Sequence, residues 1–260
     1  MSDICFAYKS NKGCIESYRD HILEIIQCMR ERWEFRGLKK KLNLLLGVPE
    51  KLVDCYLTLA VLLHDIGKTS KVVQEKCKQE ECKEFPGHYI TSSFLTLRLS
   101  YDLFRDTNIA DYLIKILTSN DYMSSGTYYT SKDEVEKYLF ITLTFLPVLL
   151  HHYPSVTEKS IDSYLKNVPP TIELSQPCRQ VILDIIKDIE YHCSSEGLRV
   201  ILTKLKTLLE GDSPINLGIL PLRYNLLYST IPSFSKGLVE AATGLLNLCD
   251  GRTASKNRQC

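Results

Sequence analysis

Apolar residues recur at helical spacing along almost the whole of this chain, while strict apolar–polar alternation is scarce. That period commits the backbone to amphipathic helices, each of which must bury its stripe against another. Ile15, Tyr18, Ile22, Ile25, Ile26 and Met29 form one such face around His21. A second helix begins after Pro49 and carries Val53, Tyr56, Leu57, Ala60 and Leu63 towards His64. It is expected to stop near Gly67, a residue suited to the left-handed end of a helix. Further helices are expected over Ser70–Cys82, His88–Phe104, Ile109–Leu117, from near Asp133 to His151-His152, and over Ile161–Leu165, Gln180–Tyr191, Leu198–Leu209 and Ser233–Leu248. Phe85-Pro86-Gly87 and Tyr153-Pro154 act as breakers, and Ser119–Lys132 reads as a polar, tyrosine-rich loop. With no repeat period and no long linker, the expectation is an all-α fold, a single compact helical domain over residues 1–260.

Charge and composition narrow the function by exclusion. The 32 lysines and arginines nearly cancel the 31 aspartates and glutamates, so a nucleic-acid partner must be held by a local patch. The longest apolar run, Tyr138–Leu150, is too short to span a bilayer and reads as a buried helix. Met1–Ser10 has an acid at position 3 and no continuous apolar core, which reads as no signal peptide. A soluble, cytoplasmic protein with no membrane partner is therefore expected. The ten cysteines match no zinc spacing and read as semi-buried thiols in a reducing cytosol, although a bend could join Cys77 to Cys82.

Chemistry concentrates at His64-Asp65-Ile66-Gly67-Lys68. A His-Asp pair alone means little, but glycine and lysine two and three residues beyond the aspartate lower the chance expectation to roughly one in a thousand. An imidazole and a carboxylate at a helix C-terminus can chelate a cation, which the negative end of the helix dipole favours. Carboxylate oxygens can bridge two metals, whereas imidazole cannot. Lys68 offers a compact charge for a phosphate oxygen. Gly67-Lys68-Thr69 also matches the tail of a P-loop, but the leading glycine would fall at Leu62 and the upstream segment is helical, so that reading fails.

His151-His152 is the second anchor. Consecutive helical side chains diverge by about 100°, so two ligands to one ion need a distorted helix end, which Tyr153-Pro154 supplies. His21 and His88 are solitary histidines on amphipathic faces, a setting more often structural, and His192 is read as structural outright. Asp250 ends an apolar helix that also holds Asn247, and burying such a carboxylate needs a cation or several donors.

Taken in order, His21, His64-Asp65-x-Gly67-Lys68, His88, His151-His152 and Asp250 resemble the HD-domain metal-dependent phosphohydrolases. Within that superfamily the chain looks most like the nuclease domain of the CRISPR interference helicase-nuclease, in its stand-alone form, over His21 to Ser255. The resemblance implies an HD-type helical domain with two divalent ions. One would take His21, His64, Asp65 and Asp250, and the other would share Asp65 and take His88, His151 and His152. Asp65 and Lys68 become the catalytic residues, Lys68 facing the scissile phosphate, with Ser92 close by. Tyr89 departs from the acidic residue found after this histidine in many members. Imidazole-rich ligation favours manganese, nickel, cobalt or iron, with magnesium workable at cellular concentrations.

The implied activity is a metal-dependent endonuclease acting on DNA, with RNA as a second substrate, in antiviral CRISPR interference. A separate helicase subunit and a CRISPR surveillance complex are the implied partners. Lys71, Arg252 and Lys256 are candidate nucleic-acid contacts, with Lys76 and Arg258 nearby, while Arg36, Lys39, Lys40 and Lys41 read as a solvated cluster. Tyr122, Tyr128 and Tyr129 are either base-stacking residues or loop filler. Two other readings stay open: an HD phosphohydrolase of nucleotides or cyclic nucleotides, and a helical adaptor with a vestigial motif.

Overall fold

Ser17 decides where the first helix begins, because its side chain accepts the Asp20 N–H and satisfies one of the unpaired donors at the helix start. The computed structural model describes residues 4–83, 85–105, 108, 109, 111–113, 131–152, 168–211, 213–218 and 233–259. Helix α1 spans Tyr18–Glu31 and buries Tyr18, His21, Ile22, Ile25, Ile26 and Met29. Ile15, expected on that helical face, instead lies half exposed in strand β2 (Ile15–Ser17), which pairs antiparallel with β1 (Phe6–Lys9). The cap fixes the boundary that periodicity alone placed too early.

Helix α2 (Trp33–Leu46), which the apolar pattern had not resolved, ends on Gly47 at φ 64°. The left-handed turn there needs glycine. Helix α3 (Glu50–His64) is buried all round from Cys55 to His64, as befits the central helix of an α-helical core. It does not run to Gly67. Asp65 leaves the helix at φ −108°, ψ 8°, and a 3₁₀ turn follows over Ile66–Thr69. Gly67 is required there by space and not by its φ, since a Cβ would lie 2.3 Å from the His88 carbonyl oxygen.

Helix α4 (Lys71–Gln79) is capped by Ser70 and stops short of Cys82, which bridges to Lys9. Helix α5 (His88–Leu99) ends before Phe104, which lies in a following turn. The apolar run becomes α6 (Lys132–Leu139), a π-helical segment (Phe140–Phe145) and α7 (Leu146–Leu150). Pro147 lacks an N–H and falls in the first turn of α7, where the wider π turn relieves the helix of that missing bond. Strand β3 (Thr171–Ile172), α8 (Gln176–His192), α9 (Glu196–Glu210) and β4 (Ile215–Asn216) follow, with β3 and β4 paired antiparallel.

Helix α10 spans Ser233–Asn257, well past the expected end at Leu248, so Asp250 sits inside a helix and not at its terminus. Its last turn is anchored by Asn257, which donates to Glu16 and Glu24. Ile161–Leu165, Tyr153-Pro154, the three loop tyrosines and most of Ile109–Leu117 lie outside the described residues. Among those described, the fold is mostly helical with two short ribbons. One apolar core gathers α1 to α3 and α5 to α10, and a satellite of Phe6, Cys77, Cys82 and Phe85 lies beside β1. No helix among the described residues is long and apolar enough to cross a membrane.

The cysteines overturn the expectation of free thiols. Cys5–Cys178, Cys28–Cys249, Cys55–Cys193 and Cys77–Cys82 are disulfides, and Cys14 is disulfide-bonded as well. Pairing on this scale is found in oxidising compartments and inside hyperthermophiles, and is rare in other cytosols. Cys77–Cys82 was within reach of sequence reasoning. Cys5–Cys178, Cys28–Cys249 and Cys55–Cys193 join residues 138 to 221 positions apart, which no spacing reveals.

Candidate metal centre

Five elements deliver the seven candidate ligands to one place. His21 comes from the first turn of α1, His64 from the last residue of α3, and Asp65 from the break that follows. His88 opens α5, His151 and His152 occupy the turn after α7, and Asp250 projects from α10. They form two sets sharing Asp65: His21, His64, Asp65 and Asp250, and Asp65, His88, His151 and His152. Within each set the ligand atoms lie within 4.8 Å of one another. These are the two sets implied by the resemblance.

The two oxygens of Asp65 divide between the sets. Oδ2 faces His21 Nε2 at 3.2 Å and His64 Nε2 at 3.4 Å. Oδ1 faces His88 Nε2 at 2.9 Å and His151 Nε2 at 3.8 Å. Asp250 Oδ1 stands 3.3 Å from His21 Nε2, and His152 Nε2 stands 3.0 Å from His88 Nε2. Asp65 is only 1% exposed, and its backbone lies in the sparsely populated bridge region common among active-site residues.

Each of four imidazoles is oriented by a hydrogen bond on the ring nitrogen turned away from the centre. His64, His88 and His151 each direct Nδ1 at the carbonyl three residues earlier, those of Val61, Phe85 and Val148. His21 Nδ1 meets Glu16 Oε1 at 2.9 Å. In His64, His88 and His151 a proton on Nδ1 leaves Nε2 with a lone pair aimed inward, which is how metal-ligating histidines are held. His21 reaches the same state once it gives up its second proton. Burial then leaves His21 Nε2, His64 Nε2, His151 Nε2 and Asp65 Oδ1 without any hydrogen bond. Buried polar atoms are normally satisfied, and leaving one bare costs about 1–3 kcal/mol. This cluster of converging lone pairs fits a divalent cation, and the two sets could each hold one.

Charge is distributed unevenly. Burial pushes His64 down to about 4, against the attraction of Asp65. Burial and the neighbouring His151 and His88 push His152 down to about 3. His21 is the exception: burial opposes its charge, but Asp250, Asp65 and Glu16 outweigh that and raise it to about 10. Asp65 is held well below the usual carboxylate range, because Lys68, His64 and His88 overcome the cost of burying it. Asp250 is lowered likewise, its contact with His21 overcoming burial. Without metal, then, a proton on His21 takes part of a cation's place. At pH 7 an ion entering the His21 set must expel about one proton, since His64 is already neutral. Affinity should therefore rise about tenfold per unit from pH 6 to pH 8. Titration calorimetry in buffers of differing ionisation enthalpy measures that proton directly, and its absence would contradict the ligand role of His21.

Glu16 was missed by sequence reasoning. It is 2% exposed, orients His21, and accepts from Asn257 and Arg258. Its position two residues before α1 carries no motif. Glu16→Gln should weaken binding at the His21 set by about 10–100-fold while sparing the other, read by competition with a chromophoric chelator. Arg258, noted among the basic residues after Asp250, is thereby engaged in supporting the centre.

Other expectations resolve differently. The Lys68 ammonium is buried and pairs with Asp65 Oδ2, so it rests on the carboxylate and does not face open solvent. Ser92 Oγ accepts the Gly67 N–H at 2.9 Å and pins the turn that carries the motif. Lys71 is exposed and pairs with Glu173, and Lys256 pairs with Glu24. Arg252 lines a cleft with Glu24, Glu31, Arg32 and Lys256, cations and acids together. On α2, Lys39 lies near Asp54 and over the Phe35 ring. His192 ends α8 outside both ligand sets, as read from the sequence. The chain matches no known family model and no curated protein.

Proposed function

We propose that this chain is an HD-type metal-dependent nuclease holding two divalent cations on the two sets that share Asp65. The observation that carries the reading is the convergence of all seven candidate ligands, with His21 Nε2, His64 Nε2, His151 Nε2 and Asp65 Oδ1 buried at their meeting point without a hydrogen bond. A helical adaptor with a vestigial motif has no use for four buried polar atoms gathered without hydrogen bonds. Paired cations there would supply charge neutralisation and water activation for phosphodiester hydrolysis. Asp65 would place one oxygen in each set, and the carbonyls of Val61, Phe85 and Val148 together with Glu16 would keep the imidazoles aimed. Lys68, released from Asp65 when cations take over that carboxylate, would offer its ammonium to a phosphate oxygen.

The three-imidazole set favours manganese, iron, cobalt or nickel, and the set with two carboxylates also suits magnesium. The proposed substrate is DNA, with RNA as a second, cut endonucleolytically during CRISPR antiviral interference beside a separate helicase subunit and a surveillance complex. The proposed setting is a cytoplasm that tolerates disulfides, as those of hyperthermophiles do. The test couples metal analysis to hydrolysis. Protein loaded with each metal should cut plasmid and oligonucleotides, with about two ions per chain. Hydrolysis of free or cyclic nucleotides alone would replace the nuclease reading with the phosphohydrolase one.

A further inference from the structure

A groove of about 740 Å³ runs off the metal centre at His88. Its walls are Val72 and Val73 of α4, Phe85 and Pro86 of the turn before α5, and Ile172 of β3. Resting on the nuclease reading, we infer that this groove is a subsite for a single nucleobase of the strand being cut, next to the scissile phosphate.

Three observations lead there. The first is continuity: His88 both lines the groove and belongs to the second ligand set, so a group seated in the groove lies against a residue of that set. The second is charge. Lys71 and Lys76 at the rim are matched by Glu75 and Glu173, and Lys71 is already paired with Glu173 at 3.0 Å. A groove with cancelled charge does not select a phosphate, and its apolar walls select the flat, uncharged part of a nucleotide. The volume falls inside the roughly 300–1,000 Å³ range of small-molecule pockets, which suits one base with its sugar.

The third observation is rigidity. Gln74, 1% exposed, donates to the carbonyls of Phe6 and Lys68 and accepts the Phe6 N–H. Cys77–Cys82 closes the chain behind Phe85, and Lys71 N–H donates to the Glu173 carbonyl across the groove. Walls held from both sides spare a ligand the entropy of ordering them. Gln74 thereby ties the groove wall to the turn that carries Lys68.

The test uses Val72→Asp combined with Pro86→Asp, both exposed positions outside the ligand sets. The probe is a short oligothymidylate carrying one 2-aminopurine, titrated into the full-length chain in EDTA. The double variant should raise Kd about tenfold, with circular dichroism and manganese content unchanged. With manganese, a strand carrying one abasic residue should be cut about tenfold less at the phosphate adjoining the gap, in wild type but not in the double variant. Unchanged Kd, together with even cutting around the abasic residue, would overturn the subsite while leaving the nuclease reading in place. No cutting of any oligonucleotide, with free nucleotides hydrolysed instead, would remove both.

Discussion

Asp65→Ala should leave the chain unable to hold divalent metal at either set, and cleavage should fall by at least about a thousandfold, equivalent to ~4 kcal/mol in the barrier. No other residue belongs to both sets. Replacing His21 or His152 removes one ligand from one ion, whereas replacing Asp65 withdraws the charge that would keep two cations close together. Metal analysis after gel filtration and single-turnover cleavage of a labelled oligonucleotide are the measurements. A variant that keeps its metal and still cuts would end the two-set account.

Stability complicates that variant, because Asp65 is the buried partner of Lys68 and lies 3.2 Å from His21. Removing one member of a buried ion pair commonly costs about 3–5 kcal/mol. Asp65→Asn separates the effects: it preserves shape and one acceptor oxygen but removes the charge. Both variants should lose metal alike, while Asp65→Asn keeps more of the thermal stability. If Asp65→Asn retained metal and Asp65→Ala merely unfolded, Asp65 would be a structural anion and not a bridge.

The residues that reveal this centre in the sequence are those whose chemistry is unusual in an apolar setting. His64-Asp65 closes a run of apolar residues, and His151-His152 closes another, so each stands out against its own helix. Asp250 was legible for the same reason, although its place inside α10 was not, since the expected helix stopped at Leu248. Glu16 could not be found this way because no motif marks it five residues before His21, and because Asn257 and Arg258, which complete its contacts, are distant in sequence. The helical class follows from period, but boundaries follow from local backbone turns and caps: Ser17 starts α1, Ser70 starts α4, and α3 gives way at Asp65 to the 3₁₀ turn. The lysines show the opposite limit. Sequence reports their charge and not their partners, and Lys68, Lys71 and Lys256 all turn out to be paired.

Full reduction under a strong dithiol should lower Tm by about 10–20 °C, the second large effect expected of this chain. A native disulfide contributes about 2–5 kcal/mol, more for longer loops. Three of the pairs close separations of 138, 173 and 221 residues, while Cys77–Cys82 closes only five. The long loops overlap, so their contributions do not simply add. A joint loss of about 5 kcal/mol, at 2–4 °C per kcal/mol for a chain of this size, gives the stated range. The pairs are not equivalent for function. Cys28–Cys249 ties α1 to α10 one residue before Asp250, and those helices carry His21 and Asp250 with ligand atoms 3.3 Å apart. Cys55–Cys193 ties α3 to the end of α8 and touches no ligand. Cys28→Ser with Cys249→Ser should thus weaken metal binding at the His21 set as well as stability, whereas Cys55→Ser with Cys193→Ser should cost stability alone. Scanning calorimetry and chelator competition on the two double variants distinguish these outcomes. Equal metal affinity in both would mean that packing between α1 and α10, without the covalent link, sets the distance from His21 to Asp250.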